Sequence, residues 1–473
     1  MFAPMQKEIS QETVFNRLVI ISGLCAFTYL LILTQIFFKE RTCFADMSFI
    51  LFNIIKDQSL AIQVNRFGSA VTQVFPLAGV WLGCSLETIM RLYSASFILW
   101  YFVVFLICVF VFRKPKYGLL ILFFATLMVS DTFYWTTNEQ LQGIAFCILL
   151  FAFLDWGREK QISLLLFYPI LFAGIFTAAF FHPLVLIGFV YFCIYKWITN
   201  KQLIWLYALF IFLGFYVIKL LFFTSNNYDQ NAFSLLKMIP EKARYFLVLT
   251  PTKNFISYLF IHYYFWLIGF LFLLFNYFKK RNWNKLLLLG SFTVIYLFVV
   301  NTCFADGNLK FYMESHYLML GFFISIPLSL EVFPSIKKNN LLLLILAPGL
   351  LIRCADLTLN HKKFSERISW MENFQAKTNH LKNKKLLIHD ASVPMDTLLI
   401  TWGSAYETWL LSSLKTPQNQ RSILIDYELE TLKSLTVENK SFFTRWGLFA
   451  YSDLPVKYFS YTDTSEYILF ENK

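Results

Sequence analysis

Phe44–Gly83 reads FADMSFILFNIIKDQSLAIQVNRFGSAVTQVFPLAGVWLG, and the interpretation of the whole chain turns on it. The stretch follows the first long apolar run directly and is too polar to cross a bilayer. Phe49–Ile55 and Val71–Val80 are nevertheless apolar enough to lie along a membrane surface. Asp46 stands three residues after Cys43, where the first membrane helix has just ended. An acid at a membrane boundary, followed by amphipathic segments, is one way to assemble a lipid-facing active site. Asp46 reads equally as the N-cap of a helix over Met47–Ile55. Both readings are open at this point.

The surrounding composition sets the class. Of 473 residues, 58% are hydrophobic and 20% aromatic, with 56 Phe and only 15% charged, which no ordinary soluble domain shows. Continuous apolar runs recur from Asn16 to about Phe333, the signature of a polytopic helical membrane protein rather than a barrel. The first run begins near Arg17 without a small-residue cleavage site and reads as a retained anchor. The net charge of +12 does not signal nucleic acid. After Cys354 there are 14 Lys/Arg and 14 Asp/Glu, so the whole excess lies in the membrane part, clustered at helix ends. The eight Cys form no CxxC and have no His neighbour, and read as apolar fillers rather than a metal site or disulfide frame. No zinc, Walker, Rossmann or G-x-S-x-G pattern occurs.

Eleven spans are expected, at about 17–38, 90–112, 117–130, 140–154, 162–180, 184–198, 203–223, 255–278, 285–303, 315–333 and 340–353. With the N-terminus in the cytoplasm, 15 basic residues fall at inner ends: Lys7, Arg17, Arg113, Lys114, Lys116, Arg158, Lys160, Lys196, Lys201, Lys279, Lys280, Arg281, Lys285, Lys337 and Lys338. The short outer loops 131–139, 181–183 and 304–314 hold only Lys310. The inverted topology would reverse every one of these asymmetries.

On this topology most membrane-region Asp, Glu and His lie at outer ends, His262 inside the eighth span being the main exception. Asp131 to Gln140 (DTFYWTTNEQ) brings Asp131 and Glu139. The hairpin tip Phe180–Pro183 presents His182. Phe304–His316 (FADGNLKFYMESH) carries Asp306, Lys310, Glu314 and His316, and the first loop adds Arg66. Each has a structural reading as cap or turn; their convergence on one face is the functional signal. The outer loop Thr224–Asn254 mixes Lys237, Lys242, Arg244 and Lys253 with Tyr and Phe, and reads as a lipid-phosphate grip or as a solvated connector. Beyond Leu341–Ile352, a dozen apolar residues interrupted by Pro348, the tail reads as a small α/β domain. Its expected strands are Lys385–His389, Ser422–Asp426 and Tyr467–Phe470, and its expected helices are Phe364–Leu381, Thr401–Leu414 and Tyr427–Leu435. The expected fold is therefore an all-α polytopic membrane domain over 1–354, with an interfacial first outer loop at 39–89, and a C-terminal α/β domain over 355–473.

Asp46 in FADMSF, the run to Gly83, and Asp131, Glu139 and His182 in later outer loops resemble the GT-C class of membrane glycosyltransferases. Members often carry paired acids in the first loop; here Asp57 follows Asp46 eleven residues on. The resemblance implies a bacterial inner-membrane enzyme with an extracytoplasmic tail. Its donor would be a polyprenyl-phosphate-linked sugar, and its acceptor a glycan, lipid or protein on the outer face. No cofactor is implied beyond a divalent cation, which only some members use.

The chemistry needs a base for the acceptor hydroxyl and cations where the leaving phosphate gains charge. Asp46 is the candidate base. Arg66, Lys310, Arg244 and Arg353 are candidate phosphate ligands, and Asp131, Glu139, His182 and His316 complete the expected substrate site. Two other classes compete. A flippase-type transporter would favour ionisable or broken helices at the midplane and an internal repeat, which the chain does not display. A lipid-linked glycan polymerase or ligase would favour a large outer loop late in the bundle, whereas here it comes first.

Overall fold

Long apolar runs have no water to satisfy their backbone, so each closes its own hydrogen bonds as a helix. In the computed structural model, which describes residues 2–136, 139–223, 234–415, 420–429, 441–444, 447–460, 463 and 465–470, every run expected to span is helical. The bundle comprises α1 (Phe2–Ile36), α5 (Leu86–Leu106), α6 (Pro115–Thr126), α7 (Glu139–Glu159), α8 (Leu164–Ala179), α9 (Val185–Asn200), α10 (Ile204–Phe222), α11 (Thr250–Ile261), α12 (Tyr264–Lys279), α13 (Trp283–Cys303), α14 (Lys310–Pro327) and α15 (Asn339–Leu359). Between α1 and α5 lie α2 (Phe38–Thr42), α3 (Asp46–Asp57) and α4 (Ala70–Trp81). Two π-helical segments, Ile107–Val111 and Leu328–Val332, extend α5 and α14.

Seven of these helices are long and apolar enough to cross a membrane, or eight if one bent pair counts as a span. Three others are shorter. The 12-residue α6 covers about 18 Å at 1.5 Å per residue, well under a bilayer core. Every residue of α6 from Tyr117 to Thr126 is buried, so it is enclosed by other helices and need not match the lipid thickness. The eighth expected span, 255–278, is corrected in shape: it is a bent pair, α11 and α12, which meet at 90° with the break at His262–Tyr263. No Pro or Gly stands there. Tyr263 is fully buried, and its hydroxyl donates to Glu314 Oε2 at 2.9 Å, a tertiary bond that holds the corner. Conversely Pro348 does not interrupt α15, which runs on nearly continuously into α16 (His361–Lys377) as 39 residues.

The tail forms a three-stranded parallel sheet, with β1 (Lys385–His389) between β2 (Ser422–Asp426) and the short β5 (Ile468–Leu469). A hairpin of β3 (Ser441–Thr444) and β4 (Gly447–Ala450) follows β2. Helix α17 (Ser404–Lys415) packs on β2. The three expected strands are present; the expected helix Tyr427–Leu435 lies mostly outside the described residues.

The surface-lying role expected for Phe49–Ile55 is also corrected. On α3, Met47, Ile50, Leu51, Phe52, Ile54 and Ile55 are buried in one core with Trp409, Leu410, Ile388 and Phe459 of the tail. Its apolar stripe is covered by protein instead of lipid, so α3 is the layer between bundle and tail. Helix α4 keeps part of the interfacial character, with Val74, Trp81 and Leu82 exposed at its side and end.

Candidate functional site

The polar residues gather where the tail sits on the bundle. Asp46 is the first residue of α3, not its cap; Ala45 takes that place at φ 41°, ψ −113°. That backbone is held from the tail. Ala45 N–H donates to Glu407 Oε1 at 2.5 Å, and Glu407 Oε2 accepts from Arg367 Nη2 at 2.5 Å. Both side chains are buried. The remaining Arg367 donors reach the carbonyls of Cys43, Leu398 and Ile400. At Gly403 a Cβ would stand 2.7 Å from Ala45 Cα, so only glycine lets the two backbones approach this closely.

With Ala45 fixed, the Asp46 carboxylate accepts from Trp135 Nε1 at 3.1 Å. Burial raises its pKa from 3.8 to about 6; the Trp135 bond and Arg66 work against that rise, and Glu139 adds to it. Glu139 in turn is paired with Arg66 at 2.9 Å, both nearly buried. Three expected site residues thus meet. Arg66 reaches the bundle because Gly68 lies against the α8–α9 hairpin: its N–H donates to Phe180 O at 3.2 Å, and a Cβ there would stand 2.3 Å from the Phe181 ring. His182 sits at that hairpin tip, where its Nδ1 accepts from Leu184 N–H at 3.2 Å. Burial, followed by the charges of Arg66, His316 and Lys219, holds its pKa well below 6.5, so it is neutral. His316 is close enough to be part of this electrostatic group, but its ring stacks on Phe304 at 4.4 Å and neither nitrogen has a hydrogen-bond partner among the described residues.

A second cluster shares the 130–136 segment. Asp131 is fully buried and paired with Lys310 (3.2 Å to Oδ1) and with Lys363 of α16. Burial opposes its charge, but the two ammonium groups prevail and the pKa is lowered. Lys310 also donates to Ser130 Oγ at 2.9 Å. Glu314 closes the segment, accepting from Ser130 N–H at 2.6 Å and from the backbone and hydroxyl of Thr132 at 3.0 and 2.7 Å. Trp135 bridges the clusters: its backbone N–H donates to Asp131 O at 3.1 Å while its indole holds Asp46. Its ring packs on Phe311 and Tyr312.

Two expected ligands fall elsewhere. The Arg353 guanidinium is buried and already donates to the carbonyls of Thr126, Val129 and His262 and to Asp356, so four of its five N–H groups are engaged away from both clusters. It ties the end of α6 to the α11–α12 corner. Arg244 is exposed, stacks over Tyr245 and touches neither cluster among the described residues. Lys363, Glu407 and Arg367 were not singled out in the sequence, because as tail residues they carry no local mark of meeting the bundle. Among the described residues no group of three or more His, Cys, Asp or Glu gathers to hold a cation. All eight Cys are free thiols. No protein-family model, curated protein or solved structure matches the chain.

Proposed function

We propose that the chain is an inverting GT-C-like membrane glycosyltransferase, moving a sugar from a polyprenyl-phosphate-linked donor to a hydroxyl of a glycan, lipid or protein. The proposed topology has a cytoplasmic N-terminus, eleven crossings counting the short helices and the bent pair, and the tail on the outer face, as the 15 basic residues at the other end favour. The observation that carries the reading is Asp46. Asp46 is half-buried at the tail-bearing end, its carboxylate aimed by Trp135, with a pKa raised towards neutrality and two cation-bearing clusters flanking it. A base works best when its pKa lies near the working pH.

In the proposed reaction the acceptor oxygen attacks the anomeric carbon as Asp46 takes its proton. The bond from that carbon to the phosphate oxygen breaks, and its electron pair leaves with the polyprenyl phosphate. Lys363 is suited to meet that charge, because it is 36% exposed and Asp131 keeps Lys310 when Lys363 swings away. Tyr312, exposed beside the buried Trp135, offers a face for the sugar. The test is Asp46→Asn, expressed at matched membrane levels with lipid-linked sugar and product extracted. Loss of a general base costs about 10²–10⁴ in rate, and the wild-type profile should rise through about pH 6 and then flatten. Near-normal product from Asp46→Asn would reject the assignment.

A further inference from the structure

The end of the bundle opposite the tail holds a cavity that the proposed reaction does not use. It has a volume of about 700 Å³ and is walled by both charged and apolar groups from α1, α6, α7, α9 and the end of α14. Its charge is unbalanced. Five basic residues line it (Arg113, Lys114, Lys116, Lys196 and Lys337) against Asp155, Glu159 and Glu331. All three acids are already engaged. Asp155 accepts from Lys196 at 2.6 Å and from the Tyr117 hydroxyl at 2.5 Å, Glu159 pairs with Lys114, and Glu331 pairs with Lys285. Arg113 and Lys116 are exposed and have no acidic partner among the described residues.

The same cavity shares Ser335 and Ile336 with a second one of about 550 Å³, almost wholly apolar, between α12, α15 and the end of α14. That second cavity runs up to Arg353, four of whose five N–H groups are engaged by carbonyls and Asp356. An amphiphile spanning the two adjoining cavities therefore finds exposed cations, Arg113 and Lys116, at the end away from the tail. Both π-helical segments among the described residues flank this junction: Ile107–Val111 leads into Arg113, and Leu328–Val332 supplies Leu330 and Glu331 to one cavity and Leu328 and Val332 to the other. Such segments are rare insertions that recur at binding sites. Each volume lies in the range of about 300–1,000 Å³ usual for ligand pockets.

We propose that the two adjoining cavities together seat one anionic phospholipid from the leaflet opposite the tail, with its phosphate at Arg113 and Lys116 and an acyl chain in the apolar cavity. The site is independent of the sugar-transfer chemistry. Each cation near an anionic headgroup contributes about fivefold in affinity, so losing two should cost about 25-fold. Gly349 lines the apolar cavity, and a Cβ there meets nothing closer than Phe265 at 3.8 Å, so a larger side chain would grow into the space.

The experiment is native mass spectrometry of the full detergent-solubilised chain with phosphatidylglycerol or phosphatidylcholine of identical chains. We expect one phosphatidylglycerol to be retained in preference to phosphatidylcholine. That preference should fall about 25-fold in Arg113→Gln/Lys116→Gln, whose exposed positions leave folding intact. Gly349→Leu should weaken both lipids while leaving the ratio between them. Equal retention of the two lipids by the wild type, or an unchanged preference in the double variant, would overturn the proposal. Displacement of phosphatidylglycerol by excess inorganic phosphate would overturn it in favour of a free-anion site. Displacement by equimolar polyprenyl phosphate would do so in favour of a carrier-lipid site.

Discussion

Glu407→Gln tests whether the tail sets the geometry at Asp46. Glu407 and Arg367 form a buried pair at 2.5 Å, and Glu407 also receives the N–H of Ala45, whose positive φ is a conformation that costs about 1–3 kcal/mol. Glutamine keeps the shape and one acceptor but removes the charge facing Arg367. The guanidinium retains three carbonyls, yet a buried cation without its counter-ion costs about 3–5 kcal/mol. That free energy is lost locally, where α3 is held between bundle and tail. Hydrogen exchange of a peptide covering 44–57 should therefore lose about a hundredfold or more in protection, while α6 and α14 keep theirs. Replacing both partners by Met and Leu should recover much of the stability, since an apolar pair can substitute for a buried ion pair. It should not recover transfer activity, because Ala45 N–H stays unheld. Unchanged protection over 44–57 in Glu407→Gln would refute the clasp.

Three further outcomes follow from the same geometry. Burial favours the protonated form of Asp46, so the stability linked to its raised pKa is full below about pH 4 and lost as pH rises through about 6; Asp46→Asn should match wild type at pH 4 and unfold later at pH 7.5, by about 1–2 kcal/mol after solvent screening, as read by chemical denaturation. Gly68→Ala should cost about 1–3 kcal/mol, because its Cβ would overlap the Phe181 ring, and should separate the first loop from the α8–α9 hairpin, which cross-linking of cysteines placed on either side would detect. Arg353→Gln should lower thermal stability by about 3 kcal/mol through unsatisfied carbonyls, while the protein that remains folded keeps its substrate affinity; a raised KM with unchanged stability would restore Arg353 as a phosphate ligand.

The helices were legible because their cause is local. A run such as Leu318–Leu330 must close its own backbone bonds whatever surrounds it, and the strands KLLIH and SILID are marked by their apolar content between polar flanks. The crowding of acids, His and Lys310 at one end was legible as well, since charge is excluded from the apolar lengths. What those charges touch was not. Lys363 meets Asp131 across 232 positions of sequence, and Arg367 binds Cys43 O across 324. Ion pairs depend on the path of the chain, which no local pattern encodes. The same limit explains α3, whose apolar stripe fits a lipid surface as well as it fits Trp409 and Phe459. It explains the corner at His262–Tyr263, where a buried tyrosine and not a helix breaker turns the chain. It explains Arg353 too: an arginine at a helix end looks available until the carbonyls at the end of α6 and at the α11–α12 corner close around it.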